Sequence, residues 1–286
     1  MNKLGIIGGS GLYDIPGLEH VEEITVDTRY GRPSSPIVAG TLDDLEIAFL
    51  ARHGRGHYLN PAEVPYRANI SALRSLGVTH LLSLSAVGSL QEHLPPRTAV
   101  VPDQIIDMTR VRDRTFFEGG VVAHVGLADP FCNTFRDSIF PIASQSAPGA
   151  QNGGTYLCIE GPQFSTRAES MLYRSWQADV IGMTAMPEAR LAREAGLCYA
   201  IIAMVTDYDV WHASEEDVTV EAVQRVMADN VEVSREIIRK IALRGLPSCQ
   251  CGCPTAIDGA VITAPDAISS AGLEILHQFS SLAASN

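Results

Sequence analysis

Short apolar runs alternating with longer segments of helical spacing constrain the fold of this chain more than any other feature. Residues 4–7, 37–39, 47–51 and 80–85 are strand-like runs bounded by turn residues, and residues 155–159 and 198–205 read as buried strands. Residues 65–76 carry Ala68, Ile70, Leu73 and Leu76 at helical spacing and stop at Gly77, a helix-ending residue. Residues 187–195 and 218–243 have the composition of further helices. Strands that alternate with helices predict an α/β fold, a single domain with a central mixed sheet flanked by helices.

The pattern changes after Leu243. Gly245-Leu246-Pro247 leads into alternating cysteines and an amphipathic segment near residues 267–279, so residues 1–243 are expected to form the domain and residues 244–286 a C-terminal extension packed on it. Hydrophobic residues make up 46% of the 286, enough for one large core or two small ones. A formal charge of −12 opposes broad attraction to nucleic acid or an anionic membrane. No run is long enough to span a bilayer, and Leu4, Ile6 and Ile7 are too few for a signal-peptide core, so the expected setting is cytoplasmic. Cys132, Cys158 and Cys198 sit among apolar neighbours, as buried thiols do. Cys249, Cys251 and Cys253 alternate without the Cys-x-x-Cys pairs and companion histidines of a zinc site, and read either as ordinary thiols or as a structural or redox cluster.

Groups with chemistry concentrate where the strand-like runs end. The glycines of Gly8-Gly9-Ser10-Gly11 let backbone N–H groups approach an anion, and Ser10 adds a hydroxyl donor; the same loop also reads as a plain tight turn. It is neither a dinucleotide fingerprint, because Asp14 stands in place of the third glycine, nor a Gly-Lys-Ser/Thr phosphate loop. Arg52 and His53 follow the run 47–51 directly. Arg52 can grip a phosphate with two parallel hydrogen bonds and His53 can donate another, since a strand's end is where α/β sheets place ligands; a solvated basic turn is the alternative. Ser85 and Ala86 open a third loop, 85–89, whose backbone N–H groups would reach the same spot.

Phe164, beyond the Gly161-Pro162 turn, is either a platform for a planar base or a core aromatic. Asp207 and Asp209 stand i, i+2 at the end of the run 198–205, and an extended chain would point both carboxylates one way. Like charges held close raise the pKa of one of them and make a proton available near neutrality; the pair can also accept hydrogen bonds from an exocyclic amine. A solvated or metal-binding Asp-x-Asp is the alternative.

These segments, in this order, resemble the trimeric purine nucleoside phosphorylase family, and most closely its 5′-methylthioadenosine phosphorylase branch. The likeness runs from Gly5 to about Leu243. Its motifs are Gly-Ile-Ile-Gly-Gly-Ser-Gly at 5–11, Ala-Arg-His-Gly at 51–54, Ala-Val-Gly-Ser at 86–89, Glu-Gly-Pro-Gln-Phe-Ser at 160–165, Gly-Met-Thr-Ala-Met-Pro-Glu at 182–188 and Thr-Asp-Tyr-Asp-Val-Trp at 206–211.

The resemblance implies phosphorolysis, with inorganic phosphate as co-substrate and neither cofactor nor metal. It assigns phosphate to Ser10, Arg52, His53, Ser85, the Ala86 backbone and Thr184, places Met183 beneath the ribose, and sets Phe164 and Ser165 against the purine. Asp207 would share a proton with purine N7, a general-acid role suited to a raised pKa. Asp207 and Asp209 would also accept from the N6 amine of adenine, whereas a 6-oxopurine would set its carbonyl against a carboxylate. Relatives that take 6-oxopurines typically carry Asn at the Asp207 position and Glu at the Ser165 position; this chain has neither. Val220 and Val223 would make the 5′ pocket apolar and suited to a methylthio group. His124 matches a segment that reaches a neighbouring subunit's site, which implies a homotrimer, alone or paired into a hexamer. The function implied is methylthioadenosine phosphorolysis in methionine and purine salvage. The alternative is a sibling acting on methylthioinosine, inosine or adenosine. The alternating cysteines are similar to Cys-x-Cys tails of some heat-stable relatives.

Overall fold

The computed structural model describes residues 2–9, 12, 15–212, 220–248 and 250–280, with residues 220–225 described by their backbone alone. Its parallel centre is built from β1 (Leu4–Gly8), β4 (Leu45–Ala51), β5 (His80–Ser89) and β11 (Cys198–Asp207), side by side in the order β4-β1-β5-β11. Near-continuous apolar sequence gives these strands two buried faces, as a parallel sheet covered by helices requires. Alternation along each strand divides the core. Ile7, Leu81 and Ile201 face α1 (Tyr66–Ser75) and α4 (Ala185–Glu194), whereas Ile6, Leu82 and Ile202 face α2 (Asn133–Ser146) and α5 (Val220–Arg244).

Antiparallel strands widen the sheet: β2 (Glu19–Ile24) and β3 (Ile37–Leu42) beyond β4, and β6 (Ala99–Val101) beyond β11. Farther along, β7 (Gln104–Asp107), β8 (Gln151–Asn152), β9 (Thr155–Cys158) and β10 (Val180–Gly182) complete a mixed sheet, and α3 (Arg167–Ser175) starts on a Thr166–Glu169 capping box.

The long strand β5 positions the site. On one side β11 pairs with it along its length; on the other, β1 pairs with residues 80–83 and β10 with residues 88–89. Residues 84–87 therefore have no ladder partner on that second side, and the sheet opens there. The segment 85–89, expected as a loop after a strand, is strand throughout: the pairing of Met204 with Ala86 and Val205 with Val87 carries the ladder through it.

The helix expected over residues 187–195 spans Ala185–Glu194, but Met186 is extended (φ −117°, ψ 135°), so regular helix begins at Pro187. Beyond α5 the chain packs back onto the core. Val261 bridges Ala123, and α6 (Ser270–Phe279) delivers Phe279, 1% exposed, onto Phe116 with ring centroids 4.3 Å apart.

Candidate active site

Where the sheet opens lies a cavity of 740 Å³. Arg52, His53, Ser85, Ala86, Phe164, Ser165, Met183, Thr184, Asp207 and Asp209 all line it, from segments spread over more than 150 residues of sequence. Ser10 lies outside the described residues, as do the side chains of Val220 and Val223. From α5 the cavity receives Met227, Asn230, Val231 and Ser234. His124 is exposed and outside the cavity; its N–H donates to the Ala260 carbonyl. Among the described residues nothing beyond Ser234 lines this space.

Arg52 follows β4 and is 2% exposed. Its Nε donates to Glu188 Oε2 (3.1 Å), Nη1 to the Leu84 carbonyl (3.2 Å), and Nη2 to Ser83 Oγ (2.6 Å) and the Ile7 carbonyl (3.3 Å). Those bonds leave one of five N–H groups, on Nη1, for a ligand. The two-bond phosphate grip expected of Arg52 is thus not available: the guanidinium is spent on tying β1, β5 and α4 together. Burial alone would lower the Arg52 pKa, but the adjacent Glu188 carboxylate outweighs it and holds the group charged. Gly54 takes φ 72°, and a Cβ there would stand 2.1 Å from the Tyr58 ring, which also lines the cavity.

His53 departs from expectation as well. Its Nδ1 lies 2.9 Å from the Leu59 carbonyl, which can only accept, so Nδ1 carries the proton. Burial, then the Arg52 charge, pushes the His53 pKa down to about 4, which keeps the ring neutral near pH 7. A neutral ring protonated on Nδ1 offers Nε2 as an acceptor rather than the expected donor. Ser85 Oγ stands 3.4 Å from Thr184 Oγ1 and 3.2 Å from Tyr156 Oη, forming a buried hydroxyl cluster at the N-cap of α4.

The two carboxylates meet in a way that simple alternation does not produce. A register shift between Val205 and Asp207 breaks the β5–β11 ladder, and Asp209 turns back with φ 52° so that its N–H donates to Asp207 Oδ1 (2.8 Å). The Thr206 hydroxyl donates to Asp207 Oδ2 (2.6 Å). Asp209 Oδ2 is buried with no hydrogen-bond partner among the described residues, and so is Ser165 Oγ. Burial raises the pKa of both acids, that of Asp209 to about 6, where the charge of Asp207 adds to the effect. Phe164 is 45% exposed at the same cavity, which favours a platform over a core role.

Two residues that sequence reasoning passed over hold this geometry. Glu188, inside a quoted motif, anchors Arg52 and accepts from the Tyr199 hydroxyl (2.8 Å). Arg112, with no local sequence signal, donates to the carbonyls of Met183 and Met186 (2.6 Å each) and to Glu160 Oε1 (2.7 Å), pinning the base of the cavity.

Comparison with known proteins agrees with this architecture. The Phosphorylase superfamily model matches residues 3–242. S-methyl-5′-thioadenosine phosphorylase of Geobacter sulfurreducens is 50% identical over 266 residues, covering 93% of each chain; that of Hyperthermus butylicus is 50% identical over 263 residues, covering 91% of this chain and 95% of its own. The crystal structure of a methylthioadenosine phosphorylase from an Antarctic soil metagenomic library superposes with a TM-score of 0.90 at 46% identity, covering 97% of this chain and 98% of its own. A Schistosoma mansoni methylthioadenosine phosphorylase in complex with adenine has a TM-score of 0.80 at 39% identity, covering 85% of this chain and 91% of its own. This chain therefore belongs to the phosphorylase superfamily.

Proposed function

We propose that the chain cleaves 5′-methylthioadenosine with inorganic phosphate, giving adenine and 5-methylthioribose 1-phosphate. One observation carries the reading: two buried carboxyls with raised pKa values, one of whose oxygens has no partner among the described residues, share a cavity with an exposed aromatic ring and a buried, charged Arg52. The relatives that bear the same activity in their names support it.

In this reading a phosphate oxygen attacks C1′ while the C1′–N9 bond breaks and its electron pair passes to the purine. Asp207, whose pKa burial raises, supplies the proton that N7 requires, so adenine leaves neutral. The remaining Nη1 proton of Arg52 and the hydroxyls of Ser85 and Thr184 face phosphate oxygens, and the negative charge of the bound phosphate stabilises the cationic ribosyl centre. His53 Nε2 accepts the hydroxyl proton of hydrogen phosphate. Asp209 Oδ2 accepts from the adenine amine. Met227 and Val231 supply apolar wall of the kind a methylthio group needs. No resident cofactor is required. His124, exposed and away from its own chain's cavity, serves a neighbouring subunit in the proposed trimer. Soluble substrates agree with a cytoplasmic setting, and no described helix is long and apolar enough to cross a membrane.

Purified protein supplied with methylthioadenosine is expected to release adenine only when phosphate is present. Release that persists without phosphate identifies a hydrolase. Hypoxanthine from inosine or methylthioinosine, with no adenine from methylthioadenosine, overturns the substrate assignment.

A further inference from the structure

The C-terminal extension brings Cys251 and Cys253 against two cysteines of the α/β core, none of the four among the residues that line the cavity. Cys132 is the N-cap of α2, Cys198 begins β11, and Cys253 opens a one-turn helix. The four Sγ atoms all lie within 4.8 Å of one another. Cys132, Cys198 and Cys253 are 2%, 1% and 1% exposed, and Cys251 is half-buried. We propose that in the reduced chain these four cysteines, as thiolates, form a binding site for a thiophilic divalent ion of the zinc class, which staples the extension to the core.

The geometry carries the assignment. Zinc–sulfur bonds of about 2.3 Å in a tetrahedron set the sulfurs about 3.8 Å apart. Cys132 and Cys251 are separated by 3.4 Å and Cys198 and Cys251 by 3.8 Å. Both separations are far too long for a disulfide of about 2.05 Å, yet match the edges of such a tetrahedron. The surroundings suit thiolates: the Phe135 N–H donates to Cys132 Sγ (3.4 Å), at a helix N-terminus whose dipole favours negative charge. The turn that presents the pair is seated tightly on the core. A Cβ on Gly196, just before Cys198, would stand 3.2 Å from the Pro254 carbonyl oxygen. A zinc-like cysteine spacing is missing from the sequence because the four ligands come from three separate segments.

Cys198 is disulfide-bonded, to none of the other three. The oxidised chain therefore offers three ligands and the reduced chain four, which makes the site redox-gated. Opening the disulfide takes two electrons and two protons and leaves two thiols; a water-soluble phosphine supplies the electrons and becomes the phosphine oxide. The metal then displaces one proton from each of the four sulfurs.

The test uses the full chain, reduced with phosphine under anaerobic conditions and titrated with cobalt(II). One ion per chain is expected, with the visible bands of a tetrahedral tetrathiolate that one equivalent of zinc then bleaches. Zinc is also expected to raise the thermal unfolding midpoint of the reduced chain. Cys251→Ser, at the half-buried position, should keep the wild-type circular dichroism and lose both responses; Cys132→Ser is the second variant. Three outcomes overturn the proposal: no stoichiometric cobalt in the reduced chain, the same spectrum in Cys251→Ser, or equal binding by the oxidised chain.

Discussion

Asp209 shows most plainly how one residue trades stability for chemistry. Its carboxyl is buried, with one oxygen lacking a partner among the described residues, and its pKa is pushed from 3.8 to about 6, chiefly by burial. A raised acid pKa means that between those values the folded chain holds the proton more tightly than the unfolded chain. Stability therefore falls as pH climbs through that window, and the penalty is complete above it, at about 2–3 kcal/mol. Asp209→Asn removes the charge, so the variant is expected to exceed the wild type in urea resistance by about that amount at pH 8 and to match it near pH 4. Urea midpoints that shift in parallel with pH would assign the penalty elsewhere. The same variant should lose adenine release, as a site that spends stability on function does. For Asp207→Asn, which keeps the size but removes the acid, the expected fall in kcat/KM is about 10²–10⁴-fold, checked by steady-state kinetics on a variant with unchanged circular dichroism.

Elements converge on the site through Arg52, and how much of this was legible follows from where the physics is local. Buried strands announce themselves by apolar runs, so β1, β4, β5 and β11 could be read, and the ligand-bearing residues at or near their ends with them. Pro187 marked the true start of regular helix. Harder to read were the features that depend on partners. Glu19–Ile24 is almost wholly exposed and carries no apolar alternation, so only its pairing with β3 makes it a strand. Pro141 inside α2 obscured a helix that the core stabilises through Phe135 and Ile139. The bulge that folds Asp209 back on Asp207, and the bond that fixes the His53 tautomer, exist only in three dimensions. So does the Arg52–Glu188 pair, with its side chains 2% and 1% exposed. Removing one partner of such a pair strands a buried charge, and Glu188→Ala should cost about 3–5 kcal/mol in unfolding free energy. Glu188→Gln retains an acceptor for Nε. It is expected to keep the fold and raise the KM for phosphate while leaving adenine affinity in place; a variant with unchanged phosphate KM would show that Arg52 needs no carboxylate to hold its position.

At the scale of the whole molecule, the C-terminal extension is part of the core rather than an appendage to it. Phe279 packs face to face on Phe116 and edge-on to Phe117, while Ile257 and Ile275 join the same buried cluster as Ile7 and Tyr199. Gln278 donates to Ser71 Oγ (2.6 Å), linking α6 to α1, and the Ser269 hydroxyl reaches the Gly119 carbonyl (2.8 Å). These contacts lie on the face of the sheet that also carries α4, the helix holding Glu188 against Arg52. Phe279→Ala empties a site that is 1% exposed, and the lost transfer energy and residual cavity should cost about 3–5 kcal/mol. Because no described residue of the extension lines the cavity, the loss should appear in stability and leave the KM for methylthioadenosine near its wild-type value below the unfolding transition. Urea unfolding followed by tryptophan fluorescence, beside initial rates at a temperature where both proteins are folded, separates the two effects. A raised KM with unchanged stability would mean that α6 acts on the nucleoside rather than on the core.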